Sequence, residues 1–264
     1  MSKTKSSAIQ KVDDTTKALA LFEGDAGEGF ENTTGADFAL PFLKLLQKGS
    51  PEVDRDKGEY IDGALPGMYV DTATKEIFET FKFVPCFYHR AMVEWGSIES
   101  GGGFIAQHPV GHEEKFKKDE RGRWLTSDDG STYLADTRYF FGLRIREGGG
   151  ATPAVVSMAS TQIKKARSWM TQLADLKFED GPNAGKSLPI FAAVWEFSSV
   201  PESKDEFTWR GYKIENVGLI EDAALASAAR DARKMFSASA TNLREPGDGT
   251  QQRSSDTAGA DVPF

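Results

Sequence analysis

In the run Arg138-Tyr139-Phe140-Phe141-Gly142-Leu143-Arg144-Ile145-Arg146, cations and aromatic rings occur at close spacing. Cations neutralise backbone phosphates and exposed rings take stacked bases at roughly 1–3 kcal/mol each, so this mixture is the chemistry of single-strand capture. In an extended strand, alternation puts Arg138, Phe140, Arg144 and Arg146 on one face and Tyr139, Phe141, Leu143 and Ile145 on the other. The first face is expected to meet nucleic acid and the second to be core. Upstream, Lys82, Tyr88 and Arg90 share one parity and Phe81, Phe83, Phe87 and Val93 the other, with Pro85 as a potential break in register. Between these segments, Lys115-Phe116-Lys117-Lys118 and Arg121-Gly122-Arg123-Trp124 interleave cations with aromatics. They read as a clamp over a strand or, given Glu113, Glu114, Asp119 and Glu120, equally as a mixed-charge solvated loop.

Other chemistry fares less well. Cys86-x2-His89 and His108-x3-His112 contain the only cysteine and all three histidines, the residue types of a tetrahedral zinc site. In a strand, however, a three-residue separation points Cys86 and His89 to opposite faces, so no metal ligand is assigned. Gly181-Pro-Asn-Ala-Gly185-Lys186-Ser187 has three residues between its glycines where a phosphate-binding loop needs four, and is read as a Gly/Pro/Asn turn. No nucleophile, base and orienting group cluster in sequence, and the chain is expected to be a non-enzyme without a cofactor.

The elements that must position these residues are mostly strands. Between residues 60 and 145, aromatic and β-branched runs are cut by Gly, Pro and Asp clusters, and the pattern predicts strands at 67–71, 80–95, 123–126, 137–146 and 154–158. A helix is expected over 161–176, where Ile163, Ala166, Trp169, Met170, Leu173 and Leu176 share one face at helical spacing. Strands at 190–199 and 207–217 follow, then a helix at 221–236 that opens on Glu221 and Asp222 and closes with Arg230, Arg233 and Lys234, matching the helix dipole. The compact apolar stretch 38–46 marks the expected start of the folded unit.

Composition bounds the partners. The chain has 264 residues and a formal net charge of −8, which by itself disfavours phosphate binding. The charge is unevenly spread: 9 Lys/Arg face 15 Asp/Glu in residues 1–79, 13 face 11 in 80–175, and 10 face 14 in 176–264. Only the middle segment is net positive. The single cysteine excludes an internal disulfide framework and suits a reducing compartment. No run of about 18 apolar residues is present to span a membrane, and the polar N-terminus lacks a signal's apolar centre. A cytoplasmic location, in the host if the source is viral, is expected.

Past residue 237 the composition turns to Ser, Thr, Gly, Gln, Asp and Ala until Asp261-Val262-Pro263-Phe264. Such a segment buries too little to offset its own ordering entropy and is expected to be a disordered tail. Its last four residues form a compact ligand: Phe264 offers a ring and the terminal carboxylate, Pro263 stiffens the approach, and Asp261 adds charge. This ending resembles the C-terminal tip of bacterial and phage single-stranded DNA-binding proteins, although Ala258, Gly259 and Ala260 stand where that family carries more acidic residues. The order of core, linker and tip is similar too, and stretches such as FALPFLKLLQKGSPEVD, FVPCFYHRAMVEW and STQIKKARSWM look like those of phage proteins encoded near replication genes.

The resemblance implies a β-rich (all-β to α+β) fold, a five-stranded oligonucleotide-binding (OB) barrel with insertions and two accessory helices. The expected division is a flexible segment 1–37, a DNA-binding domain 38–236 and a tail 237–264. The expected function is sequence-independent protection of single-stranded DNA in phage replication or recombination, with the tip recruiting replication and repair proteins. The expected DNA-binding residues are Lys82, Tyr88, Arg90, Lys117, Lys118, Arg121, Arg123, Trp124, Arg138, Phe140, Arg144 and Arg146, and the partner-binding residues Asp261, Val262, Pro263 and Phe264. Two alternatives stay open: a strand-annealing recombination protein, and an interaction protein that mimics the tip without binding DNA. Oligomeric state is left open, a homo-oligomer included.

Overall fold

A computed structural model describes residues 17–25, 28–33, 37–97, 102–120 and 122–239. In chain order its strands are β1 (Leu43–Leu45), β2 (Tyr69–Asp71), β3 (Ile77–Phe78), β4 (Phe81–Gly96), β5 (Phe104–His108), β6 (Trp124–Leu125), β7 (Thr132–Ile145), β8 (Ala151–Ala159), β9 (Ala193–Lys204) and β10 (Phe207–Leu219). Two longer helices, α1 (Ile163–Asp175) and α2 (Ala223–Ser239), complete it. Every expected strand and helix is present in substance. β3 and β5 arise where sequence reading placed none, and β1 lies inside the 38–46 apolar stretch.

All the strand ladders are antiparallel. β1, β2 and β3 form a small sheet, while the main sheet runs β10-β9-β4-β7, with β7 continuing onto β6 at one end and β8 along the rest, and β5 on the end of β4. The fold is therefore β-rich, as expected. A closed five-stranded barrel is not found. Instead the sheet curls, and side chains join its edges. Val155 N–H donates to Pro41 O at 2.9 Å, bringing β1 alongside β8. The Gln47 amide then pairs with β10 as a peptide would: Arg210 N–H donates to its Oε1 at 2.8 Å and its Nε2 donates to Arg210 O at 3.0 Å. Gln162 Oε1 accepts Tyr212 N–H, and the Tyr212 hydroxyl reaches Ser157 O. No ladder joins β8 to β10 among the described residues.

The curl separates two cores. Inside it, Phe81, Phe83, Phe140, Val156, Trp195, Phe197 and Tyr212 pack with Trp169 and Leu173 of α1. Outside, Val84, Tyr139, Phe141, Leu143 and Val155 pack under Ala229, Ala232 and Phe236 of α2. The α1 face read at helical spacing is the buried one, and α2 begins where Asp222 Oδ1 accepts Ala224 N–H at 2.9 Å.

One irregularity changes the reading of β4. The β4–β7 register slips between Pro85 and Phe87, leaving Cys86 as an extra residue. A bulge inverts the alternation beyond it, so Tyr88 and Arg90 lie on the face of Phe81 and Phe83 and Lys82 on the other. The expected grouping of Lys82 with Tyr88 and Arg90 is corrected accordingly. Opposite the bulge, a Cβ on Gly142 would collide with Val84 O and the Phe83 ring, so only glycine fits there. Among the described residues no helix is long and apolar enough to cross a membrane. Residues 240–264, with the expected tail and its tip, lie outside the described residues.

Candidate nucleic-acid interface

The strand face expected to bind DNA is not a surface. Phe140 is fully buried, its ring 4.3 Å from Trp169 and 5.3 Å from Tyr88. Arg138 and Arg144 are buried as well, at 4% and 6% exposure. Parity correctly grouped these residues on one side of β7, but α1 returns over Phe140, and β2 and β3 bring Asp71, Glu76 and Phe78 over Arg144. Each buried cation is consequently matched. Arg144 donates to both Glu76 oxygens at 2.8 Å, lies 3.6 Å from Asp71 and sits over the Phe78 ring at 4.0 Å. The Arg144 hydrogen bond holds the Glu76 carboxyl below the usual carboxylate range, and Arg146 Nη1 donates to its Oε2 at 3.2 Å. Arg90 grips Asp136 in a two-point pair at 2.9 and 3.0 Å. Arg138 Nη1 approaches Asp136 at 3.2 Å without the alignment of a hydrogen bond, so that contact is ionic. Burial opposes ionisation of Asp136, and the two guanidiniums outweigh it.

The remaining predicted residues collect on an arm. Beyond the end of β8, β4 and β7 continue as a two-stranded ladder from Ala91 opposite Thr137 to Gly96 opposite Thr132, flanked by β5 and β6. Lys117 and Lys118 are exposed, with the Lys118 ammonium 4.4 Å above the half-buried Trp124 ring. Arg123 is paired with Asp119 at 2.8 Å and lies 5.0 Å over the Tyr133 ring. Arg121 falls outside the described residues. Lys82, although exposed, stands at the far end of β4 from Gly96. With 16 residues in that strand the two ends are about 50 Å apart, too far to form one patch.

The arm also carries rings that sequence reading weighed only as metal ligands. His108 and His112 stack in parallel at 4.0 Å and Phe116 follows at 5.5 Å. His108 Nε2 meets Glu94 at 2.8 Å. Desolvation, aided by His108 and Lys115, lowers the His112 pKa. His89 accepts from Gln107, and Cys86 is buried in the outer core, where desolvation pushes its thiol up to about 12. The four residues therefore do not converge on one point. Among the described residues no group of three or more His, Cys, Asp or Glu is placed to hold a metal ion. The 181–187 segment is a turn: Gly181 and Gly185 have positive φ, and the Ser187 hydroxyl donates to Ala174 O at the end of α1.

Between β1, the end of β8 and the outer end of the arm around Trp95 and Gly96 lies a cleft of about 470 Å³. Trp95 and Tyr133, directly opposite each other across the β4–β7 ladder, form part of its lining. Sequence reading missed it because its walls come from segments far apart along the chain, from Phe42 to Tyr212.

A family model described as Pam3 phage gp34-like protein matches residues 10–242, which takes in the whole of both sheets and stops short of the C-terminal tip. No curated protein and no solved structure matches the chain.

Proposed function

We propose, from the premise that this chain belongs to the Pam3 phage gp34-like protein family, that it is a sequence-independent single-stranded DNA-binding protein of phage replication or recombination. The observation that carries this reading is the arm, where exposed Lys117 and Lys118 stand beside Trp124, and Arg123 lies over Tyr133. Cations that track phosphates next to rings that take bases are the two components of single-strand affinity. The binding path proposed here follows the arm and not the β7 face, whose cations are already matched by Asp71, Glu76 and Asp136. In this reading the protein is not an enzyme, works in the host cytoplasm, and docks replication or repair proteins through Asp261–Phe264. Titration of fluorescent oligo-dT at several salt concentrations tests it. Binding should weaken with salt at a log–log slope of about −0.7 per phosphate neutralised. A preference for duplex DNA, or affinity independent of salt, overturns the reading.

A further inference from the structure

Hydrogen-bond donors and aromatic rings line the cleft between β1, the end of β8 and the outer end of the arm. Its volume, about 470 Å³, lies at the small end of the range for ligand pockets. In a chain of net charge −8 no carboxylate is among the described residues lining it, and among those Lys44, ion-paired to Glu52, is the one charged side chain. Ser50, Thr72 and Ser160 bring hydroxyls to it. The Ser50 Oγ accepts Gln47 N–H and the Thr72 Oγ1 accepts Phe42 N–H, each at 2.9 Å, and each hydroxyl also carries a proton that it can donate. Ser160 is exposed at the β8–α1 junction. Its aromatic lining is half-buried Trp95, which meets Phe104 edge to face, and Tyr133, which lies under Arg123.

We infer that this cleft seats one nucleobase of a bound single strand, preferentially a pyrimidine bearing two carbonyl oxygens. The ligand follows from the lining. Two aromatic rings in the lining favour a flat π-system. Hydroxyl donors, with no carboxylate among the described lining residues, favour an edge with two carbonyl acceptors, which thymine presents in O2 and O4 and adenine does not. The size admits one nucleotide. The inference deepens the single-strand reading proposed above, placing the arm as the phosphate track and the cleft as its base pocket.

The test compares oligo-dT and thymidine monophosphate as probes, in the full chain and three variants. Ala159→Trp fills the cleft from the end of β8 and leaves Lys117, Lys118 and Trp124 in place. Trp95→Leu removes a ring while keeping apolar bulk, and keeps the inference open to refutation if the first variant fails to fold. The double variant Lys117→Glu/Lys118→Glu alters the arm alone. The expected result is that both cleft variants abolish monophosphate binding and weaken oligo-dT by roughly tenfold or more, while the arm variant weakens only oligo-dT. Oligo-dT binding unchanged in a folded cleft variant overturns the inference and leaves the arm reading intact. Monophosphate binding in a protein that ignores oligo-dT overturns the arm reading and retains the cleft as a nucleotide seat.

Discussion

The Phe140 ring lies 4.3 Å from Trp169, and that packing decides the character of β7. With α1 over one side of the strand and Phe236 of α2 5.2 Å from Phe141 on the other, neither face meets solvent between Thr137 and Arg144. Phe140→Ala and Phe141→Ala should therefore behave alike, each lowering unfolding free energy by about 3–5 kcal/mol. Chemical denaturation with a common slope for both variants checks this. A Phe140→Ala protein of unchanged stability would mean that α1 does not cover the strand.

Arg144 is expected to act on stability and not on DNA. Its replacement by Met removes the cation beside Asp71, which is 1% exposed and keeps the Ala73 and Thr74 N–H bonds to its Oδ1, and should cost up to about 3–5 kcal/mol. The same arginine sets a pH dependence through Glu76. Because Arg144 depresses the folded-state pKa of Glu76, the carboxylate's contribution is complete above the ordinary value of 4.5 and is lost as pH falls through the lower folded value. Asp136, depressed by Arg90 and Arg138, acts in the same direction. Thermal melts from about pH 6 down to about pH 2 should show stability falling, with a shallower fall in Glu76→Gln.

For the arm, replacing Lys117 and Lys118 by Glu should weaken oligo-dT binding and flatten its salt slope by about 0.7 for each phosphate that is no longer neutralised. Trp124→Ala should weaken binding by roughly 1–3 kcal/mol at any salt concentration. Fluorescence anisotropy over a salt series separates the two effects.

The Cys86 thiol, buried and pushed up to about 12, should resist iodoacetamide in the native protein and react on unfolding. Mass spectrometry with and without denaturant reads this directly. Rapid native labelling would place Cys86 at the surface and contradict the packing of the outer core.

Deleting Asp261–Phe264 should leave the melting temperature unchanged while abolishing capture of replication or repair partners. Residues 237–264 carry 2 Lys/Arg against 4 Asp/Glu, so DNA affinity should hold or rise slightly. Appending one Gly after Phe264 moves the carboxylate and keeps every side chain. Equal partner recovery from intact, truncated and extended chains would remove the tip from the functional account.

The sequence by itself determined what depends on neighbours along the chain. Aromatic and β-branched runs between Gly and Asp clusters marked the strands, the spacing of Ala166, Trp169 and Leu173 marked the buried side of α1, and alternation separated Phe140 from Phe141. It did not determine which sides meet water, because burial is set by what returns over a strand from elsewhere. Trp169 lies 29 residues beyond Phe140, and nothing local to β7 announces it. The bulge at Cys86 is of the same kind: Pro85 hinted at a break, but only pairing with Gly142 shows that alternation inverts and carries Tyr88 and Arg90 away from Lys82. The cations were legible as cations, yet whether each was spare or matched depended on Asp71, Glu76 and Asp136 arriving from other parts of the chain. The cleft was illegible for the strongest version of that reason, since it exists only where β1, β8 and the arm converge and no single segment contains it.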